Sequence, residues 1–112
     1  MNSFNNQFFY VKVEEIQGGE HMEEIVKGTN KFYIGENEAE PIAEITFKEK
    51  DAQTIIVDHT YVSDTLRGQG VAGKLVDKVT SYAREKGVKI EPTCPYVKGK
   101  MEKSDAYEDV LA

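Results

Sequence analysis

Val62-Ser63-Asp64-Thr65-Leu66-Arg67-Gly68-Gln69-Gly70-Val71-Ala72-Gly73-Lys74-Leu75 joins the end of a β-branched run to the start of an amphipathic one through a basic, glycine-rich turn. A helix start carries N–H groups with no intrahelical partner and about half a unit of positive charge. Glycines let those groups approach an anion with no side chain in the way. Arg67 adds a fixed cation at the mouth. The stretch therefore predicts a strand, a pyrophosphate cradle and a helix in succession. Two other phosphate loops fit less well. A P-loop closes on Gly-Lys-Ser/Thr, whereas Gly73-Lys74 is followed by Leu75, so the magnesium-binding hydroxyl is missing. Gly68-x-Gly70-x-x-Gly73 meets the dinucleotide fingerprint formally, and Glu91 stands near the spacing of a ribose ligand. Only about twenty residues follow Glu91, too few for the rest of such a sheet. A glycine-rich turn that binds nothing is the remaining alternative.

Working outward, Gln53 to Val62 is the longest β-branched run and is expected to be the central strand. Lys31 to Ile34 and Pro41 to Lys48 alternate apolar and polar residues, which with the central strand predicts an antiparallel meander. From Leu66 or Val71 to Lys86, residues Ala72, Leu75, Val76, Val79, Tyr82 and Ala83 recur on one helical face, with Ser63 or Asp64 able to cap and Gly87 as the C-cap. Val88 to Glu91 is then a strand reached by a crossover helix, hence parallel to the central one. Pro92-Thr93-Cys94-Pro95 breaks it, and Tyr96 to Lys103 and Ser104 to Leu111 read as two short helices or turns.

The chain has 112 residues, a formal net charge of -6 and a pI near 4.9, enough for one core and ill suited to nucleic acid or an anionic membrane. A cationic amine suits it better. The single Cys94 makes no internal disulfide, and no stretch approaches the roughly eighteen apolar residues of a membrane span. A cytoplasmic setting is expected. Residues 1–21 read differently from the rest, being Asn- and Phe-rich at the start, with Val11 to Ile16 as a possible short strand. Gln17-Gly18-Gly19-Glu20-His21-Met22 can be encoded by a purine-rich stretch resembling a bacterial ribosome-binding sequence just before an ATG. Residues 1–21 are therefore expected to be a non-native or disordered leader, with one domain over 22–112; a genuine extra strand or arm is the alternative.

Arg67-x-x-Gly70-x-Ala72 fits an Arg/Gln-x-x-Gly-x-Gly/Ala signature, and the segment resembles the acetyl-CoA site of the GNAT superfamily of N-acetyltransferases. Asp58-His59-Thr60, Arg67 to Ala72 and Cys94-Pro95-Tyr96-Val97 are similar to a compact branch of that superfamily, and the resemblance covers residues 30–103. It implies an α+β fold, a minimal GNAT acyl-CoA N-acyltransferase core made of the meander, the βαβ crossover and short C-terminal helices. The strands around the crossover helix should splay, with the pantetheine arm of the coenzyme in the gap. The resemblance also implies acetyl-CoA or CoA contacts at Tyr61, Val62, Arg67, Gly68, Gln69, Gly70, Val71 and Ala72, and an acceptor that is a small amine or an exposed protein amino group. No metal is assigned, and the expected state is a monomer or weak homodimer. The closing strand pair that walls the acceptor site in larger relatives is absent.

Acetylating an amine needs a neutral nucleophile, a stabilised oxyanion and a proton for the departing thiolate. Where histone-type members carry a glutamate base, this chain has Thr54. His59 is the first substitute, because its ordinary pKa suits proton pickup near neutrality. Simple alternation puts His59 on one face with Ile55, Val57 and Tyr61, which equally describes a packed structural histidine. Asp58 and Glu44 are the carboxylate options. Cys94, which the resemblance places at the mouth of the splay, is either an acetyl-accepting nucleophile or a small buried hydrophobe. Tyr96 is placed to protonate the thiolate, with Tyr107 second, and both also fit as packed aromatics. Transfer to an amine is the leading reading; a non-catalytic CoA-binding or sensing module is its rival.

Overall fold

The computed structural model of the protein describes residues 9–14 and 20–112. Strands β3 (Val26–Gly28), β4 (Lys31–Ile34), β5 (Ala43–Asp51), β6 (Thr54–Val62) and β7 (Lys89–Pro92) form one sheet in that order. The first four are antiparallel neighbours, and β7 runs parallel to β6. The expected meander and crossover are thus present, although β5 rather than β6 is the middle strand. The expected α+β architecture of meander, crossover helix and short C-terminal helix is the fold observed.

Helix α1 (Val71–Lys86) makes the crossover and lies on one face of the sheet. Its Leu75, Val76, Val79 and Ala83 are buried against Phe32, Ile45, Phe47, Ile55 and Val57 from the strands. Tyr82 and the two strand phenylalanines form an aromatic trio with centroids 5.3 to 5.9 Å apart. Gly87 ends the helix in the left-handed region at φ 71°, and the N–H of Val88 donates to Ala83 O at 2.9 Å, which closes the last turn. Helix α2 (Pro95–Glu102) follows β7 and buries Val97 and Met101. Ser104 caps a single 3₁₀ turn, Asp105–Tyr107, within the stretch expected to form a second short helix or turn. Beyond it Leu111 bridges Ile90 in parallel and so covers the outer edge of β7.

A separate hairpin pairs β1 (Tyr10–Glu14) with β2 (Glu20–Glu24). The expected leader over residues 1–21 lies partly outside the described residues. Its described part supplies β1 and the start of β2, and Val11 is only 1% exposed, packed in the main core. Among the described residues no helix is long and apolar enough to cross a membrane.

Candidate functional site

The site begins with an irregularity in β6. Its register with β5 runs Phe47↔Val57 and then Thr46↔His59, so Asp58 is an extra residue, a β-bulge. One added residue reverses alternation. Ile55 and Val57 face the core before the bulge; Thr60 and Val62, opposite the fully buried Ile45 and Ala43, face it afterwards. His59 is therefore not on the face of Ile55 and Val57 that simple alternation gives it. It stands with Tyr61 on the far side of the sheet, its side chain 56% exposed. There Glu44, in register with Tyr61 and 16% exposed, places Oε2 3.6 Å from His59 Nε2. Its other oxygen accepts a 2.7 Å bond from Lys31 Nζ. Asp58 itself accepts from Thr46 Oγ1 at 2.6 Å.

The parallel ladder stops at the same place. The pairing of β6 with β7 ends at Val57↔Pro92, and the carbonyl of Val57 accepts from the N–H groups of Thr93, at 3.0 Å, and Cys94, at 3.2 Å. Beyond Val57 the two strands part. Cys94 sits at this parting as the N-cap of α2, 8% exposed, with Sγ 3.5 Å from Thr60 Oγ1. Thr60 is a site residue that periodicity hides, because without the bulge it faces away from Cys94. The three consecutive polar residues Asp58-His59-Thr60 in an otherwise β-branched strand are the one trace of the bulge in the sequence.

After Val62 the chain makes a 3₁₀ turn, Asp64–Leu66, capped by Ser63, whose side chain accepts from the Thr65 N–H. Gly68 (φ 85°) and Gly70 (φ 73°) then take left-handed conformations that other residues adopt at a cost. Gly70 is the N-cap of α1 and provides no side-chain acceptor; the first turn contains no acidic residue. The N–H groups of that turn are left without intrahelical partners. A Cβ at Gly68 or Gly70 would meet nothing within 4 Å, so the space above both is open. A cleft of about 270 Å³ brings Val62, Arg67, Gly68, Gly70, Val71 and Ala72 together with Leu66, Gly73 and Tyr96. Gln69 instead lines the neighbouring hollow, and Tyr61 is on the other face of the sheet. Arg67 is exposed, with Nη1 3.2 Å from Asp64 Oδ1.

The two tyrosines differ. Tyr96 is 46% exposed at the cleft, its hydroxyl 3.7 Å from where a Cβ on Gly73 would stand. Burial, then the nearby Asp77 carboxylate, raises its pKa, so the phenol keeps its proton at neutral pH. Tyr107 is buried and donates a 2.7 Å bond to Asp77 Oδ1. Burial first, and that bond second, push its pKa to about 12. Tied to the half-buried Asp77, Tyr107 is not among the residues that line the cleft.

The model of the GCN5-related N-acetyl-transferases matches residues 31–110. The chain belongs to this family. A Bacillus subtilis (strain 168) relative, YjbC, provisionally named as an acetyltransferase, is 33% identical over 92 residues. That match covers 82% of this chain but only 46% of YjbC, so the chain spans about half the length of this curated relative. The solution NMR structure of a GCN5-like protein of Staphylococcus aureus, provisionally named as an N-acetyltransferase, superposes with a TM-score of 0.68 at 48% identity. There the match covers 80% of this chain and 87% of the other. Within this N-acetyltransferase family member, the parted strands, glycine turn and Tyr96 share one end of the sheet, whereas His59 and Glu44 stand on the opposite face of β6 and β5.

Proposed function

We propose that the chain is an acetyl-CoA-dependent N-acetyltransferase, with a small amine or an exposed protein amino group as acceptor. The observation that carries this is the start of α1: a glycine-capped helix N-terminus with no acidic residue in its first turn and open space above it, at the point where β6 and β7 part. These features fit a pyrophosphate. The N–H groups from Gly68 to Ala72 hold its oxygens, and Arg67 adds charge. Tyr61 and Val62, on the two faces of β6 beyond the parting, would line the pantetheine arm.

Bound acetyl-CoA supplies an activated thioester whose acetyl group passes to a neutral amine. His59, on the far face, takes a proton from the acceptor amine, and the Glu44 carboxylate beside it steadies the imidazolium. Tyr96, on the near face, gives a proton to the departing sulfur. Cys94 packs against Thr60 and lines the parting; transfer is direct, since positioning amine and thioester together supplies much of the rate.

A proton–nitrogen chemical-shift titration with CoA and acetyl-CoA, followed by a thiol-release screen over amines, tests this. Shifts centred on Arg67 to Ala72 and thiol release with at least one amine are expected. Binding with no release over a broad panel would favour a non-catalytic CoA-binding module. No shift at the glycine turn would overturn the cradle.

A further inference from the structure

Next to the cleft, and sharing Val71 with it, lies a second hollow of about 390 Å³, lined by Val11, Lys12, Gln69, Val71 and Lys74. Val71 lines both spaces, so the two meet at the first turn of α1. Its far wall comes from β1 of the N-terminal hairpin. Lys74, one turn into α1, donates from Nζ to Tyr10 O at 3.1 Å and so ties that strand to the helix. An ammonium carries three N–H donors, and this bond uses one of them. Two lysines therefore line one wall-to-wall space beside a helix start, in a chain whose formal net charge is -6.

We propose that Lys12 and Lys74 form a subsite for the ribose 3′-phosphate of coenzyme A, with the N-terminal hairpin as one wall. The inference rests on the pyrophosphate reading above and extends it. A ligand whose pyrophosphate lies on the N–H groups from Gly68 to Ala72 has two ends. The thioester end goes toward the parting, where Cys94 and Tyr96 stand, so the nucleotide end is directed past Val71 to the other hollow. A phosphate monoester carries nearly two negative charges at neutral pH. Two lysines answer that charge, and Gln69 adds a neutral donor. Exposed phosphate contacts of this kind are point-charge interactions, so they respond to salt.

Calorimetric titration of the full chain with CoA and with 3′-dephospho-CoA, at low and high salt, tests the subsite. Wild type should bind CoA about tenfold more tightly, and salt should narrow the difference. Lys12→Gln and Lys74→Gln should each weaken CoA by about threefold while leaving 3′-dephospho-CoA within twofold, and the double variant should abolish the preference. Lys74→Arg keeps the charge and should retain most of it, which separates charge from hairpin packing. Equal binding of the two ligands by wild type, or equal weakening of both by the lysine variants, would overturn the subsite alone. Binding of neither by wild type would overturn the pyrophosphate reading, and the subsite with it.

Discussion

Gly70 and Gly87 cap opposite ends of α1 in almost the same conformation, φ 73° and ψ 20° against φ 71° and ψ 31°. At neither would a Cβ meet any atom within 4 Å. The pair is a built-in control. An aspartate at either position incurs the same left-handed strain, of the order of 1–2 kcal/mol. The helix dipole then separates them: a carboxylate is favoured at the N-terminus and disfavoured at the C-terminus by about 0.3–1 kcal/mol each. Gly87→Asp should therefore be the less stable variant by about 1 kcal/mol, or about 4 °C in melting temperature for a domain of this size.

Ligand affinity should run in the reverse order. A carboxylate at Gly70, about 5 Å from a bound phosphate, repels each unit of ligand charge by about 3 kcal/mol at an effective dielectric constant near 20. That corresponds to a loss of about a hundredfold or more in CoA affinity at low salt, with part of it recovered at high salt. Gly87→Asp, at the far end of the helix, should bind CoA within twofold of wild type. Thermal melts give the first ordering and titration calorimetry the second. If Gly70→Asp binds CoA within threefold of wild type, or if both variants lose affinity equally, the glycine turn is not the anion cradle.

Three further outcomes follow from the geometry. Mixing with acetyl-CoA without amine should leave no acetyl adduct on Cys94, and Cys94→Ala should keep most thiol-release activity; a hydroxylamine-sensitive adduct by mass spectrometry would instead establish Cys94 as a nucleophile. Tyr107 has a folded pKa of about 12 against an ordinary value near 10, so its contribution to stability is complete below pH 10 and lost as pH rises toward 12. The advantage of wild type over Tyr107→Phe in denaturant melts should shrink across that window, and a constant difference would refute the assignment. Starting the chain at Met22 removes β1 and with it the burial of Val11, which is about 1.5–3 kcal/mol of transfer free energy. A fall of several degrees in melting temperature is expected, and a change within about 2 °C would favour the reading of residues 1–21 as a leader.

The parts of the fold legible in the sequence are those where one local signal decides one element. Pro41 to Lys48 alternates cleanly, Ala72 to Ala83 keeps a helical stripe, and Gly87 stops the helix, and all three appear within a few residues of expectation. What escaped is non-local. Glu20-His21-Met22-Glu23-Glu24 has one apolar residue and no alternation, because β2 is held by its partner β1 rather than by a buried face of its own. The orientation of His59 depends on a bulge that exists only in the register between two strands. The glycine turn, by contrast, was readable because its requirement is conformational and sits in the residues themselves: two left-handed positions and a helix start without an acidic residue.

The gap between β6 and β7 has a cause on each strand, and neither involves a ligand. On β7, Pro92 occupies the last paired position and Pro95 opens α2, so two of the four residues from 92 to 95 have no N–H to extend a ladder. The two N–H groups between them, on Thr93 and Cys94, both turn back onto the single carbonyl of Val57. On β6, the extra residue Asp58 follows immediately and shifts the phase of every group beyond it. A regular ladder past this point would need donors that β7 lacks and a phase that β6 has abandoned. The slot is therefore a property of the backbone, present before any ligand arrives, and its walls at the parting are Val57 O, Thr60 and Cys94 rather than a glutamate at position 54. Thr54 lies at the opposite, fully paired end of β6, where it faces Lys89 across an intact ladder and cannot reach the gap.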